Sequence, residues 1–182
     1  ITTEGECYLC FYVDDILLAS TNLQLIERIK DTLKKRYKVT DLGEAKNFLG
    51  ISIHRNRSER TMEMDQVNKI SEYLKEHGTT DCKKNKIPLS VPLTKDEDKE
   101  SLNHSNYQKI VGQLQYLSGT TRPDITQAAS ALSRYNSCPK ISHWKALRGT
   151  LKYLRGSDQL AMCYTATDED PQEKLKVTVY SD

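Results

Sequence analysis

The chain has 182 residues, with 27 Lys and Arg against 25 Asp and Glu for a formal net charge of +2, and 37% hydrophobic residues. That is enough for one domain and part of another, and the near-neutral balance excludes a uniformly basic nucleic-acid coat protein and an acidic disordered chain. No run reaches the ~18 apolar residues of a membrane span, no basic-then-apolar leader opens the sequence, and Cys7, Cys10, Cys82, Cys138 and Cys163 read as free thiols of an intracellular chain, not as a disulfide framework.

Residues 7–20, CYLCFYVDDILLAS, are two apolar runs rich in aromatic and β-branched residues, interrupted by Asp14-Asp15. Strand propensity on both sides of a turn-forming pair predicts a β-hairpin with the carboxylates at its tip. Thr21 and Gln24 have the spacing of a capping box, and Ile26, Ile29, Leu33 and Tyr37 recur at helical intervals, which predicts an amphipathic helix over 22–37 with Lys30, Lys34, Lys35 and Arg36 mostly outward. Phe48–Ile53 reads as a strand and Thr61–Met64 as its partner across a polar link, with Gly50 permitting close backbone approach. Val67, Ile70, Tyr73 and Leu74 mark a further helix that Gly78 ends.

Residues 81–106, with Pro88, Pro92 and a charge cluster, read as a linker. Three helices are expected beyond it: a stripe of Tyr107, Ile110, Val111, Leu114 and Leu117; a second that opens at Arg122-Pro123-Asp124; and a third capped by Ser142 with the stripe Trp144, Leu147, Leu151 and Leu154. Trp144 belongs to the core side of that last helix. Strand patterns return at Leu160–Thr165 and Leu175–Tyr180.

Charge is unevenly distributed along this order. The first twenty residues hold acids only, whereas 102–157 carries eight bases and one acid, Asp124. Arg134, Lys140, Lys145, Arg148, Lys152 and Arg155 are thus candidates to grip a phosphate backbone by charge, although a solvated helix face has the same composition. Cys7 and Cys10 are spaced CxxC, but i and i+3 point to opposite faces of a strand and no second Cys/His pair follows, so zinc is not expected. His54, His77, His104 and His143 have polar neighbours and no nucleophile at suggestive spacing, and read as surface residues. Asp14 and Asp15 remain the sharpest feature: adjacent carboxylates amid apolar strands either form an ordinary acidic turn or hold a hard divalent cation.

Tyr12-Val13-Asp14-Asp15 between apolar strands resembles motif C of reverse transcriptases. Five stretches resemble, in order, the Pol polyproteins of copia-type LTR retrotransposons: YVDDILLAS, DLGEAKNFLGISI, NYQKIVGQLQYLSGTTRPDITQAASALSRY, HWKALRGTLKYLRG and VYSD. The resemblance implies an α+β fold. Residues 1–65 would be the C-terminal part of a palm, with the YVDD and primer-grip hairpins. Residues 66–157 would be a helical thumb or connection region, and 158–182 the first strands of a ribonuclease H-like domain. It implies Asp14 and Asp15 as catalytic metal ligands, Asp14 the more critical, and Asp182 as the first ribonuclease H carboxylate. Tyr12 would pack near the primer end; Phe48, Leu49, Gly50 and Ile51 would form the primer grip. Lys145, Arg148 and Lys152 would meet nucleic acid, and Arg122, largely a structural residue, would touch its backbone.

Mg²⁺ is the implied cofactor, in a two-metal site, and a primer–template of RNA and DNA, a deoxynucleoside triphosphate and the remainder of the Pol polyprotein are the implied partners. No membrane contact is implied; cytoplasmic virus-like particles with later nuclear entry are. A motif A aspartate and the fingers have no counterpart among the eleven residues before Tyr12, so the chain alone is expected not to polymerise. A non-catalytic nucleic-acid-binding or assembly remnant of a retroelement is the alternative.

Overall fold

The runs flanking the acidic pair do pair with each other. In the computed structural model of the chain, which describes residues 5–90, 93 and 104–166, β1 (Cys7–Tyr12) and β2 (Asp15–Ser20) are antiparallel, with Tyr12 opposite Asp15. Val13 and Asp14 are left to make the turn. A connection this short needs positive φ, and Val13 supplies it at 50° although its branched Cβ disfavours that region. Helix α1 (Leu23–Arg36) follows. Its cap is Asn22 and not Thr21: the Asn22 Oδ1 accepts from the Gln24 and Leu25 amides at 2.9 and 3.3 Å. Asn is as good a cap as Thr, and here it lies in the register that reaches two free amides.

The stretch expected as one strand from Phe48 to Ile53 is two. β3 (Asn47–Phe48) turns back into β4 (Ile51–Asn56) through Leu49 and Gly50, at φ 52° and 77°. Apolar composition hid this turn, since only Gly50 signals it. β4 pairs with β5 (Thr61–Asp65) as expected, and β6 (Met162–Thr165) adds to β5, giving an antiparallel sheet in the order β3-β4-β5-β6. The strand read at 160–165 therefore closes onto residues 61–64. The strand read at 175–180 lies outside the described residues.

The core is helical. α2 (Val67–Glu76), α3 (His104–Ser118), α4 (Thr126–Ser133) and α5 (Ile141–Gly156) bury Ile70, Leu74, Tyr107, Ile110, Val111, Leu114, Leu117, Leu132, Leu147, Leu151 and Leu154 against one another. These are the stripes read from the sequence, and Trp144 packs on their edge, its ring T-shaped to Tyr107 at 5.5 Å. Pro123 starts a single 3-10 turn, Pro123–Ile125, ahead of α4, as a proline at a helix entrance should. α5 begins before the expected Ser142 cap: the Lys140 amide donates to His143 Nδ1 at 3.0 Å. Leu147 has no exposed surface, and Leu147→Ala is expected to destabilise the chain by about 3–5 kcal/mol through the cavity it leaves, against a change below ~0.5 kcal/mol for the exposed Leu42→Ala. Urea denaturation of the two variants decides this.

Burial is not spread evenly. β1, β2 and α1 contribute no buried residue, and Tyr8, Leu9, Phe11, Tyr12 and Val13 are all more than half exposed. The segment expected as a linker also departs from expectation in its first part. The Asn85 amide donates to Lys152 O at 3.2 Å, its Nδ2 to Gly149 O at 3.1 Å, and Thr150 Oγ1 donates to Pro88 O at 2.9 Å, so residues 85–88 lie along α5. Proline here does not free the chain. No helix among the described residues is long and apolar enough to cross a membrane.

Candidate functional site

The β1–β2 turn sets Asp14 and Asp15 side by side at the end of a two-stranded ribbon. Both are exposed, and neither has a hydrogen bond or an ion pair among the described residues. Several other acids of the chain do find partners: Asp41 meets Lys30 and Lys34, each at 3.3 Å, and Glu76 meets Lys109. Two unneutralised carboxylates at a strained turn repel each other and offer hard oxygen ligands to a divalent cation. They are too few for a closed site, and no group of three metal-ligating side chains exists among the described residues. Tyr12 directly precedes the turn, opposite Asp15, and is also exposed. Asp182 lies outside the described residues.

The second hairpin is held from behind. The Tyr116 hydroxyl of α3 donates to the Leu49 carbonyl inside the β3–β4 turn, and a Cβ on Gly50 would stand 3.3 Å from the Tyr116 hydroxyl oxygen. Tyr116 was not legible as a site residue, because it meets the turn across 67 residues and looks in sequence like one more aromatic in a helix stripe. Gly50→Ala combines a positive φ with this crowding, and is expected to cost about 1–2 kcal/mol. The paired variant Gly50→Ala with Tyr116→Phe should recover the steric part of that loss in a thermal melt.

On α5, Lys145 and Arg148 are exposed and Lys152 is half-buried, at the i, i+3, i+7 spacing of one helix face. None of the three has an ion pair among the described residues, which leaves their charge free of those residues' acids.

Arg122 is placed elsewhere. It is 1% exposed, its Nε and Nη2 grip Asp124 at 2.9 and 2.7 Å, and Nη2 also donates to Ser157 Oγ at 2.6 Å. The Tyr153 hydroxyl completes the cluster with a 2.7 Å bond to Asp124. A guanidinium so enclosed is not available to a nucleic-acid backbone; it ties the start of α4 to the end of α5. Burial alone raises the Asp124 carboxyl, but the bonds from Arg122 and Tyr153 outweigh it and hold the group below the ordinary carboxylate range.

Two histidines expected at the surface are also interior groups. His143 is 2% exposed and stacks on Tyr135 at 3.7 Å, and the His77 side chain, 7% exposed, meets Gln113 Oε1 at 2.7 Å. Polar neighbours in sequence misled here, since on a helix they lie on other faces. The five cysteines are free, as expected.

The chain thus presents a short hairpin bearing Tyr12-Val13-Asp14-Asp15, a second hairpin held by a helix, and a basic helical region. Residues 2–91 match the reverse transcriptase (RNA-dependent DNA polymerase) family, and that part of the chain belongs to it. The chain is 32% identical to a Ty5-1 transposon protein of Saccharomyces cerevisiae over its whole length, covering 58% of that protein. It is 33% identical over 88% of its length to the Pol polyprotein of transposon TNT 1-94 of Nicotiana tabacum, covering 13% of it, and 32% identical over 82% to an uncharacterised mitochondrial protein of Arabidopsis thaliana, covering 62% of it. The homologues are thus Ty/copia-type Pol polyproteins, and the chain corresponds to between about an eighth and three-fifths of these relatives. No solved structure matches it.

Proposed function

We propose that this chain is the part of a copia-type Pol polyprotein that carries the second half of the polymerase metal site, the primer grip and the helices that hold the nucleic acid. In this reading residues 1–65 are C-terminal palm, 66–157 thumb or connection, and 158–182 the start of a ribonuclease H-like domain, with Asp182 as its first carboxylate. The observation that carries it is the pair of exposed carboxylates, unpaired among the described residues, of which Asp14 lies in the strained two-residue turn and Asp15 begins β2. Mg²⁺, when bound, supplies charge stabilisation for the attacking and leaving oxygens of nucleotidyl transfer from a deoxynucleoside triphosphate to a primer 3′-hydroxyl. Asp14 and Asp15 offer it two carboxylates, and a third must come from the remainder of the Pol protein. Tyr12, beside the turn, packs against the primer end. Phe48, Leu49 and Gly50 present backbone to the primer strand, with Gly50 free of a Cβ, and Lys145, Arg148 and Lys152 hold the template–primer through its phosphates. The setting is the Pol protein in cytoplasmic particles, with later entry to the nucleus.

Primer extension tests the reading. A Pol protein containing this segment should extend a DNA primer on an RNA template in Mg²⁺, and the isolated chain should not. Extension by the isolated chain would refute the division of the site. The alternative, a non-catalytic nucleic-acid-binding module, draws support from the α5 face, whose three cations all lie within this chain while the carboxylate site does not close. It requires duplex binding to be lost on charge reversal at Lys145, Arg148 and Lys152 and no polymerisation to depend on Asp14.

A further inference from the structure

A cleft of about 220 Å³ opens between α2, the segment after it and the last turn of α5, lined by Ser71, Leu74, Thr80, Lys84, Arg155 and Asp158. Its position is set by a clamp. Gly149 and Gly156, two helical turns apart on one face of α5, leave a notch in which residues 84 and 85 lie. A Cβ on Gly156 would stand 3.3 Å from both the Asn85 backbone carbonyl oxygen and the Lys84 Cβ, and one on Gly149 would stand 3.4 Å from the Asn85 side-chain Nδ2. With Asn85 bonded to Lys152 O and Gly149 O, the Lys84 stem is pressed against the helix one residue from Arg155.

Two cations are thereby brought to one cleft, and neither has an ion pair or a side-chain hydrogen bond among the described residues. Other cations of the chain do reach a carboxylate, among them Lys30, Lys34, Lys69, Lys109 and Arg122. Asp158 sits on the same rim but forms no salt bridge with either cation, and Lys83 and Lys86 add positive charge nearby. Like charges held together and paired to no carboxylate among the described residues favour an anion between them. The Ser71 hydroxyl supplies a neutral donor, and the Thr80 hydroxyl, which donates to Asp81 Oδ2 at 3.4 Å, can turn to supply a second.

We propose that this cleft seats one phosphate group of a nucleic-acid backbone, with Lys84 and Arg155 as its cations and Ser71 and Thr80 as hydrogen-bond donors. The inference rests on the reading of α5 as a nucleic-acid face and extends that face to a segment read from sequence as linker. Two cations on one phosphate release about one counterion, so their loss flattens the dependence of log affinity on log salt by about 0.9.

The experiment uses the full chain, an RNA–DNA duplex carrying a fluorophore, and amide NMR shifts. Duplex should move the Ser71 and Thr80 amides, and Lys84→Glu with Arg155→Glu should weaken binding about 10-fold and flatten the salt slope by about 0.9, with the thermal melt unchanged. Still amides, or a double variant that binds like the parent, overturns the proposal. If charge reversal at Lys145, Arg148 and Lys152 abolishes binding while the cleft variant does not, the α5 reading stands and the cleft falls. If the parent binds no duplex, both fall. Inorganic phosphate is the second arm. If it moves the same amides and duplex neither moves them further nor competes, the ligand is free phosphate and the nucleic-acid assignment is overturned.

Discussion

Asp14→Asn in a Pol protein that carries this segment is expected to lower primer extension by more than the roughly 10- to 100-fold that loss of a group merely supporting a metal ligand costs, with kcat falling and the primer–template KM nearly unchanged. The substitution keeps shape and removes one charge. Because the Asp14 side chain is exposed and bonded to nothing among the described residues, the fold has nothing to lose, and the melting temperature of the chain should not move. Loss of turnover without loss of stability or of template binding is the signature of a group that acts on the reacting phosphate through its cation. Asp15→Asn should act in the same direction and less severely, since Asp15 is already the first residue of β2 and is held in the ladder opposite Tyr12. Steady-state extension with variants of both residues, run beside duplex-binding measurements, separates these expectations. Equal extension by Asp14→Asn and the parent would remove Asp14 from the chemistry.

The largest loss of stability from a single polar side chain is expected at Arg122. Arg122→Ala leaves Asp124 facing a cavity with only Tyr153 as partner, and removes the bond to Ser157. Breaking one side of a buried pair costs about 3–5 kcal/mol, and the lower part of that range applies because the Asp124 side chain keeps 30% of its surface in solvent. Arg122→Lys should not rescue it, as an ammonium cannot make the two parallel bonds of the guanidinium fork. Arg122→Met combined with Asp124→Leu should recover most of the loss, since no charge is then left unpaired. The pH dependence has a definite sign. The folded-state carboxyl of Asp124 is lowered, so its contribution is fully present above the unfolded pKa, about 3.9, and is lost as pH falls through the folded value. Urea melts between pH 3 and 7 should show the parent losing stability at the acid end and Arg122→Met losing less there.

How the chain is read depends on the range over which each feature is determined. The helix stripes of α2, α3, α4 and α5 were legible because a 3.6-residue period records which side faces a core, whatever that core is, and the first hairpin because strand formers flank a turn pair. The carboxylates were legible for the same local reason, as charge that apolar neighbours cannot absorb. Features set by distant partners were not. The turn at Leu49 and Gly50 stands where a helix hydroxyl 67 residues away bonds its carbonyl, and the apolar run around it has no period that marks a reversal. Residues 85–88 looked like linker because proline and charge punctuate them, yet the notch of Gly149 and Gly156 holds them on α5.

Arg122 shows the division most directly. Its sequence context, Arg-Pro-Asp in a basic block, announces a helix start and offers the arginine to either a phosphate or an acid. Composition determined that a charge would be there, and that α4 would begin beside it. Only the packing of α4 against α5 turned that charge inward, because the Asp124 carboxylate and the Ser157 hydroxyl converge there from opposite ends of the helical region and enclose it.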